Sequence, residues 1–65
     1  MTGEDAEAAR RRLRHDLRTP LTIVAGFAEV LASDRQISDA DRREYAERIK
    51  TAADEIRSLI DRQLD

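Results

Sequence analysis

The chain has 65 residues, of which 12 are Lys or Arg and 14 are Asp or Glu, for a net charge of −2, with 40% hydrophobic and 3% aromatic residues. That composition allows one small domain with an aliphatic core and excludes a large single-chain enzyme. Folds this small are commonly completed by disulfides, a metal or a partner chain, and with no Cys and one His the partner chain is the support that remains.

The first predicted element is a long helix over about residues 4–32. Acids at Glu4, Asp5 and Glu7 suit a helix N-terminus. Leu13, Leu17, Pro20, Val24, Phe27 and Leu31 then recur at alternating spacings of four and three, which is a heptad seam. Leu21, Ile23, Ala28 and Val30 broaden this stripe beyond a two-stranded seam and argue for burial against more than one other helix. A polar connection over about 33–38 follows, with Ile37 as its apolar member.

The second helix is predicted over about residues 39–64. Ser38 with Asp41 three residues later resembles a capping box. Tyr45, Ile49, Ala52, Ile56 and Leu59 repeat the same heptad, flanked by Ala46, Ala53 and Ile60 and continued by Leu64. The expected fold is all-α, an antiparallel two-helix hairpin in a single domain of residues 1–65. Two such hairpins would close into a homodimeric four-helix bundle.

Within helix 1, Pro20 breaks the local rule, because a helix-interior proline loses a backbone donor and clashes with the carbonyl of Asp16, typically costing about 3 kcal/mol. His15 lies two residues from both Leu13 and Leu17, about 200° around the helix from each, and so faces water. A single His cannot make a protein-only zinc site, so no metal centre is expected. An exposed imidazole with a pKa of about 6.5 can instead serve as a nucleophile near neutral pH. Arg11, Arg12, Arg18 and Thr19 lie within one turn on its face, and guanidinium groups suit phosphoryl oxygens. The bland alternative is ordinary surface salt bridging. Arg10-Arg11-Arg12-Leu13-Arg14 invites a nucleic-acid reading, but no aromatic stands near it for base stacking and the chain is acidic, so no nucleic-acid partner is expected.

His15-Asp16-Leu17-Arg18-Thr19-Pro20-Leu21 resembles, over all seven positions, the H-box of sensor histidine kinases. The setting agrees, because the dimerisation and phosphoacceptor domain of that family is a two-helix hairpin with the motif early in helix 1. The resemblance implies a protein-histidine kinase as the parent protein. It makes His15 the phosphoacceptor, Asp16 the general base, Arg18 a phosphoryl contact, Thr19 the positioner of a water for regulator dephosphorylation, and Pro20 the source of a kink. ATP and Mg2+ would be bound by a separate catalytic domain and no cofactor by this hairpin, which has no Gly-rich loop. The partners implied are a second copy, that catalytic domain and a response regulator receiver domain.

Positions Thr19, Thr22 and Gly26, with Ala25 beside them, form an outward stripe of small residues below His15. Together with Arg43, Glu44, Glu47 and Lys50 on helix 2, they are the expected docking surface for the regulator. No apolar stretch of about 18 residues and no signal-peptide pattern occurs, so a cytoplasmic location without direct membrane contact is expected, with any membrane anchor in another part of the parent kinase. Two other readings of the residues are a free-standing histidine phosphotransfer protein and a purely structural dimeric helical adaptor.

Overall fold

A computed structural model describes residues 3–64, apart from the side chains of Glu4 and Leu64. The expected roles of those two side chains therefore lie outside the described residues. The chain forms two helices, α1 (Gly3–Ala32) and α2 (Asp39–Leu64), which pack against each other as a hairpin. The first helix starts one residue before the expected position.

Local chemistry sets both ends of the connection. At the end of α1, the carbonyl of Val30 accepts from the Ser33 backbone N–H at 3.2 Å and from the Ser33 hydroxyl at 2.6 Å. Ser33 Oγ in turn accepts from the Arg35 backbone N–H at 3.3 Å, so one serine tightens the turn that the next element needs. At the start of α2, Ser38 Oγ accepts from the Asp41 N–H at 3.0 Å, and the Ser38 carbonyl accepts from the Arg42 N–H at 2.9 Å. Ser38 is thus the N-cap. The reciprocal half of the capping box does not form among the described residues, as expected for an aspartate one methylene shorter than the usual Glu. Asp39 and Asp41 in the first turn and Arg62 in the last complement the helix dipole. Ser38→Ala should lower stability by about 1 kcal/mol. In a thermal melt at fixed protein concentration this appears as a fall of about 4–8 °C.

The heptad seams meet in register. Phe27 stacks on Tyr45 with ring centroids 5.1 Å apart and planes inclined by 26°. One heptad further from the loop stand Pro20 and Ala52, the two buried residues among those described. A heptad beyond them are Leu13 and Leu59, both half-buried. Leu17, Val24 and Leu31 on α1 and Ile49 and Ile56 on α2 fill the intervening layers at half-burial.

Two helices enclose only one line of side chains, so the flanks stay open. Leu21 is 51% exposed, Ile23 37% and Ile60 38%, and Ala28, Ala46 and Ala53 are exposed as well. Val30 is half-buried, and Ile37 in the connection is half-buried at the end of the hairpin. The molecule measures 52 × 19 × 11 Å with a radius of gyration of 15.6 Å. A compact domain of this length would have about 11 Å.

Candidate functional site

The seam that packs α1 onto α2 also dictates which residues look outward. With Leu13 and Leu17 turned to the hairpin interior, His15 between them projects into solvent, its side chain 87% exposed. Asp16, next in sequence, is 46% exposed, and its Oδ1 lies 3.4 Å from His15 Nδ1. Neighbouring helical side chains usually diverge by about 100°, yet here the carboxylate reaches the ring. The separation is longer than a strong hydrogen bond.

Pro20 lies beneath the site with less than 2% of its surface exposed, packed within an unbroken α1. The seam position explains how it is tolerated. Its ring is apolar surface in the interior, so burial offsets part of what the missing backbone donor costs. Two residues later, the Thr22 hydroxyl donates to the Arg18 carbonyl at 2.8 Å, a back-bond of the kind that bends helices. Thr19 is exposed, and its hydroxyl makes no hydrogen bond among the described residues. One of the two nearby hydroxyls is therefore committed to the backbone and the other is available to a water or a ligand.

Arg18 is exposed, as are Ala25 and Gly26 further down the same outward side. A Cβ added at Gly26 would meet nothing within 4 Å. The Phe27–Tyr45 stack places the stretch of α2 around Tyr45 at the same height along the hairpin. Arg43, Glu44, Glu47 and Lys50 in that stretch are all exposed. Lys50 donates to Asp54 Oδ2 at 3.0 Å and holds that carboxyl below its ordinary pKa, with Arg57 adding to the effect. Its ammonium is already engaged with its own helix.

No group of three or more His, Cys, Asp or Glu side chains among the described residues is placed to hold a metal ion. The glycines are Gly3 and Gly26, both within α1, so there is no glycine-rich phosphate loop either.

A family model, the His Kinase A (phospho-acceptor) domain, matches residues 11–65. The chain belongs to that family. Two relatives carry the same message. The sensor histidine kinase YcbM of Bacillus subtilis (strain 168) is 30% identical over 64 residues, covering 98% of this chain and 21% of that protein. The sensor protein VanSC of Enterococcus gallinarum is 44% identical over 48 residues, covering 74% of this chain and 13% of that protein. The chain thus spans about a fifth or less of the length of these relatives. No solved structure matches it.

Two features of this phosphoacceptor domain were not foreseen from its sequence. Phe27 and Tyr45 both stand in the seams, but their stacking depends on the register between helices, which spacing within each helix does not fix. The second is a groove on the α1 surface lined by Glu7, Arg10, Arg11 and Arg14, one turn before His15. Its signal in the sequence is the arginine run itself.

Proposed function

We propose that the domain, taken as residues 1–65, is the dimerisation and phosphoacceptor module of a two-component sensor kinase. The observation that carries this is the pairing of an 87% exposed imidazole with an adjacent carboxylate on its Nδ1 side, on the outer face of a family hairpin. With Nδ1–H directed at Asp16, the Nε2 lone pair faces solvent as the nucleophile. Attack on the terminal phosphorus of ATP forms the Nε2–P bond and breaks the bond to the bridging oxygen, releasing ADP. Asp16 accepts the Nδ1 proton as positive charge builds on the ring. Arg18 offers charge-assisted hydrogen bonds to the phosphoryl oxygens.

The phosphoryl group then passes from Nε2 to an aspartate carboxylate of a receiver domain, and Asp16 returns the proton to Nδ1, which restores the neutral imidazole. For the reverse signal, the free Thr19 hydroxyl holds a water in line with the receiver's acyl phosphate, giving phosphatase activity. Pro20 sets the local bend of α1. ATP and Mg2+ belong to a separate catalytic domain of the parent protein, and a second copy of the hairpin completes the bundle. We place the domain in the cytoplasm; among the described residues no helix is long and apolar enough to cross a membrane.

Incubation with Mg-ATP and a separately produced catalytic domain tests the reading, with acid-labile phosphate on the chain as the expected product. A chain that takes no phosphate from any active catalytic domain while remaining helical and dimeric would instead be a structural adaptor.

Transfer to the regulator has its own test. Gly26→Gln should raise helix stability by roughly 0.5–1 kcal/mol, because glycine is a poor helix former and the added side chain meets open space. Phosphorylation of His15 should persist, while transfer to a matched receiver domain, followed by phosphate appearing on the receiver, should slow at least about tenfold. Undiminished transfer would remove Thr22, Ala25 and Gly26 from the docking surface.

A further inference from the structure

The two ring nitrogens of His15 face different neighbours. Nδ1 lies 3.4 Å from Asp16 Oδ1, so Nε2, which points almost the opposite way across the ring, is turned away from the Asp16 flank of α1. Helical positions advance by about 100° per residue. Asp16 therefore stands about 100° to one side of His15 and Arg12 about 60° to that same side, whereas Arg11 and Arg18 stand about 40° and 60° to the other. The Nε2 flank is thus bracketed by two guanidinium groups, one rooted about 6 Å before His15 along the axis and one about 4.5 Å after it. Arg10 and Arg14 lie further round, about 140° and 100° from His15, and belong to neither arm.

Both arms are uncommitted. Arg11 and Arg18 are exposed and make no ion pair among the described residues, where the pairs are His15–Asp16, Arg42–Asp39 and Lys50–Asp54. Arg11 borders a groove with Glu7, Arg10 and Arg14. Glu7, four residues before it, is the acid of that groove and forms no ion pair with it, while Arg14, three residues after it, is a like charge at a neighbouring helix position. In α2, by contrast, Arg42 and Lys50 each hold an aspartate.

Resting on the reading of His15 as the acceptor, we propose that Arg11 is a phosphoryl-holding residue, which closes with Arg18 on the phosphoryl group carried by Nε2 and so sets how much phosphate the domain retains. Phosphorylation brings negative oxygens to the position that the two arms flank. Each guanidinium fork matches such oxygens, gives charge-assisted hydrogen bonds and cannot lose its charge. The ligand is the covalently bound phosphoryl group itself, and the nucleotide stays with the catalytic domain. Asp16 keeps to the opposite flank, where its carboxylate serves Nδ1 at a distance from the phosphoryl oxygens it would repel. Arg12 shares that flank, so a residue of the same type next to Arg11 lies outside the clamp.

Phosphorylating the 15N-labelled chain with phosphoramidate, whose P–N bond breaks as the Nε2–P bond forms and ammonia leaves, tests the contact without any catalytic domain. On phosphorylation the Nε–Hε resonances of Arg11 and Arg18 should shift and exchange more slowly with water, with those of Arg10 and Arg12 nearly unmoved. With a catalytic domain and a fixed ratio of Mg-ATP to Mg-ADP, Arg11→Gln should lower the equilibrium constant for phosphorylation by about three- to tenfold at unchanged helix content, and Arg12→Gln by less than about twofold. Arg11→Lys, which keeps the charge and loses the fork, should recover part of the difference. A shift confined to Arg12, or an Arg11→Gln chain with the parent equilibrium constant, would overturn the clamp. A chain that takes phosphate from the catalytic domain while its Arg11 resonance ignores phosphorylation sinks the clamp and leaves the acceptor reading standing. Arg11 and Arg18 shifts in a chemically phosphorylated chain that no active catalytic domain can phosphorylate would support the contact and remove the acceptor reading.

Discussion

A His15→Gln chain is expected to accept no phosphate from Mg-ATP and a catalytic domain, a loss of at least about a thousandfold against the parent sequence, with its helical circular dichroism and melting temperature nearly unchanged. The separation follows from position. The side chain is 87% exposed and its polar contact among the described residues is with Asp16, so its removal deletes little packing. Glutamine keeps the polarity and helix propensity of the site and has no nitrogen able to form a stable phosphoramidate. Asp16→Asn should leave acceptance possible and slow it by roughly 10²–10⁴-fold, the usual contribution of a positioned base. Thr19→Ala should keep acceptance and lose dephosphorylation of the regulator, because its hydroxyl is free among the described residues while that of Thr22 is tied to Arg18. Equal loss of acceptance in the His15 and Thr19 variants would mean that the two residues do not divide the work in this way.

Much of this geometry was legible in the residues. The alternation of four and three in both halves put Leu13, Leu17 and Val24 inward, and outward-facing His15 is a direct consequence of that period. The Ser38 cap was readable because a serine hydroxyl three residues before a backbone donor satisfies it in a standard geometry. The Asp16–His15 contact was harder to read, since ideal helix angles separate neighbours and only rotamer choice brings them to 3.4 Å. The difference between Thr19 and Thr22 is of the same kind. Both are exposed threonines in one turn, and which hydroxyl turns back to the helix is decided by χ1 and not by spacing. The layers Phe27–Tyr45 and Pro20–Ala52 needed the register between helices, which loop length constrains without fixing.

A single hairpin leaves a deficit that a second copy can fill. Its accessible surface is 5596 Å², whereas a compact monomer of this mass would expose roughly 4,200 Å². The excess of about 1,400 Å² per hairpin is, counted on two copies, of the size seen in obligate homodimers. The apolar part of that excess is placed accordingly. Ile23, 37% exposed, borders an inter-helix groove lined by Arg48, Thr51, Ala52 and Glu55, with Leu21 and Ile60 exposed on the flanks. A two-fold related hairpin would cover each of these side chains twice. Ile23→Glu should then forfeit about 2 kcal/mol of burial per protomer, about 4 kcal/mol per dimer, and raise the dimer dissociation constant roughly a thousandfold. Sedimentation equilibrium would read the shift to monomer, and the melting temperature of the parent chain should fall on dilution because assembly and folding are linked. A parent chain that sediments as a monomer with a concentration-independent melting temperature, or an Ile23→Glu variant that dimerises as tightly as the parent, would mean that this face is not the dimer surface.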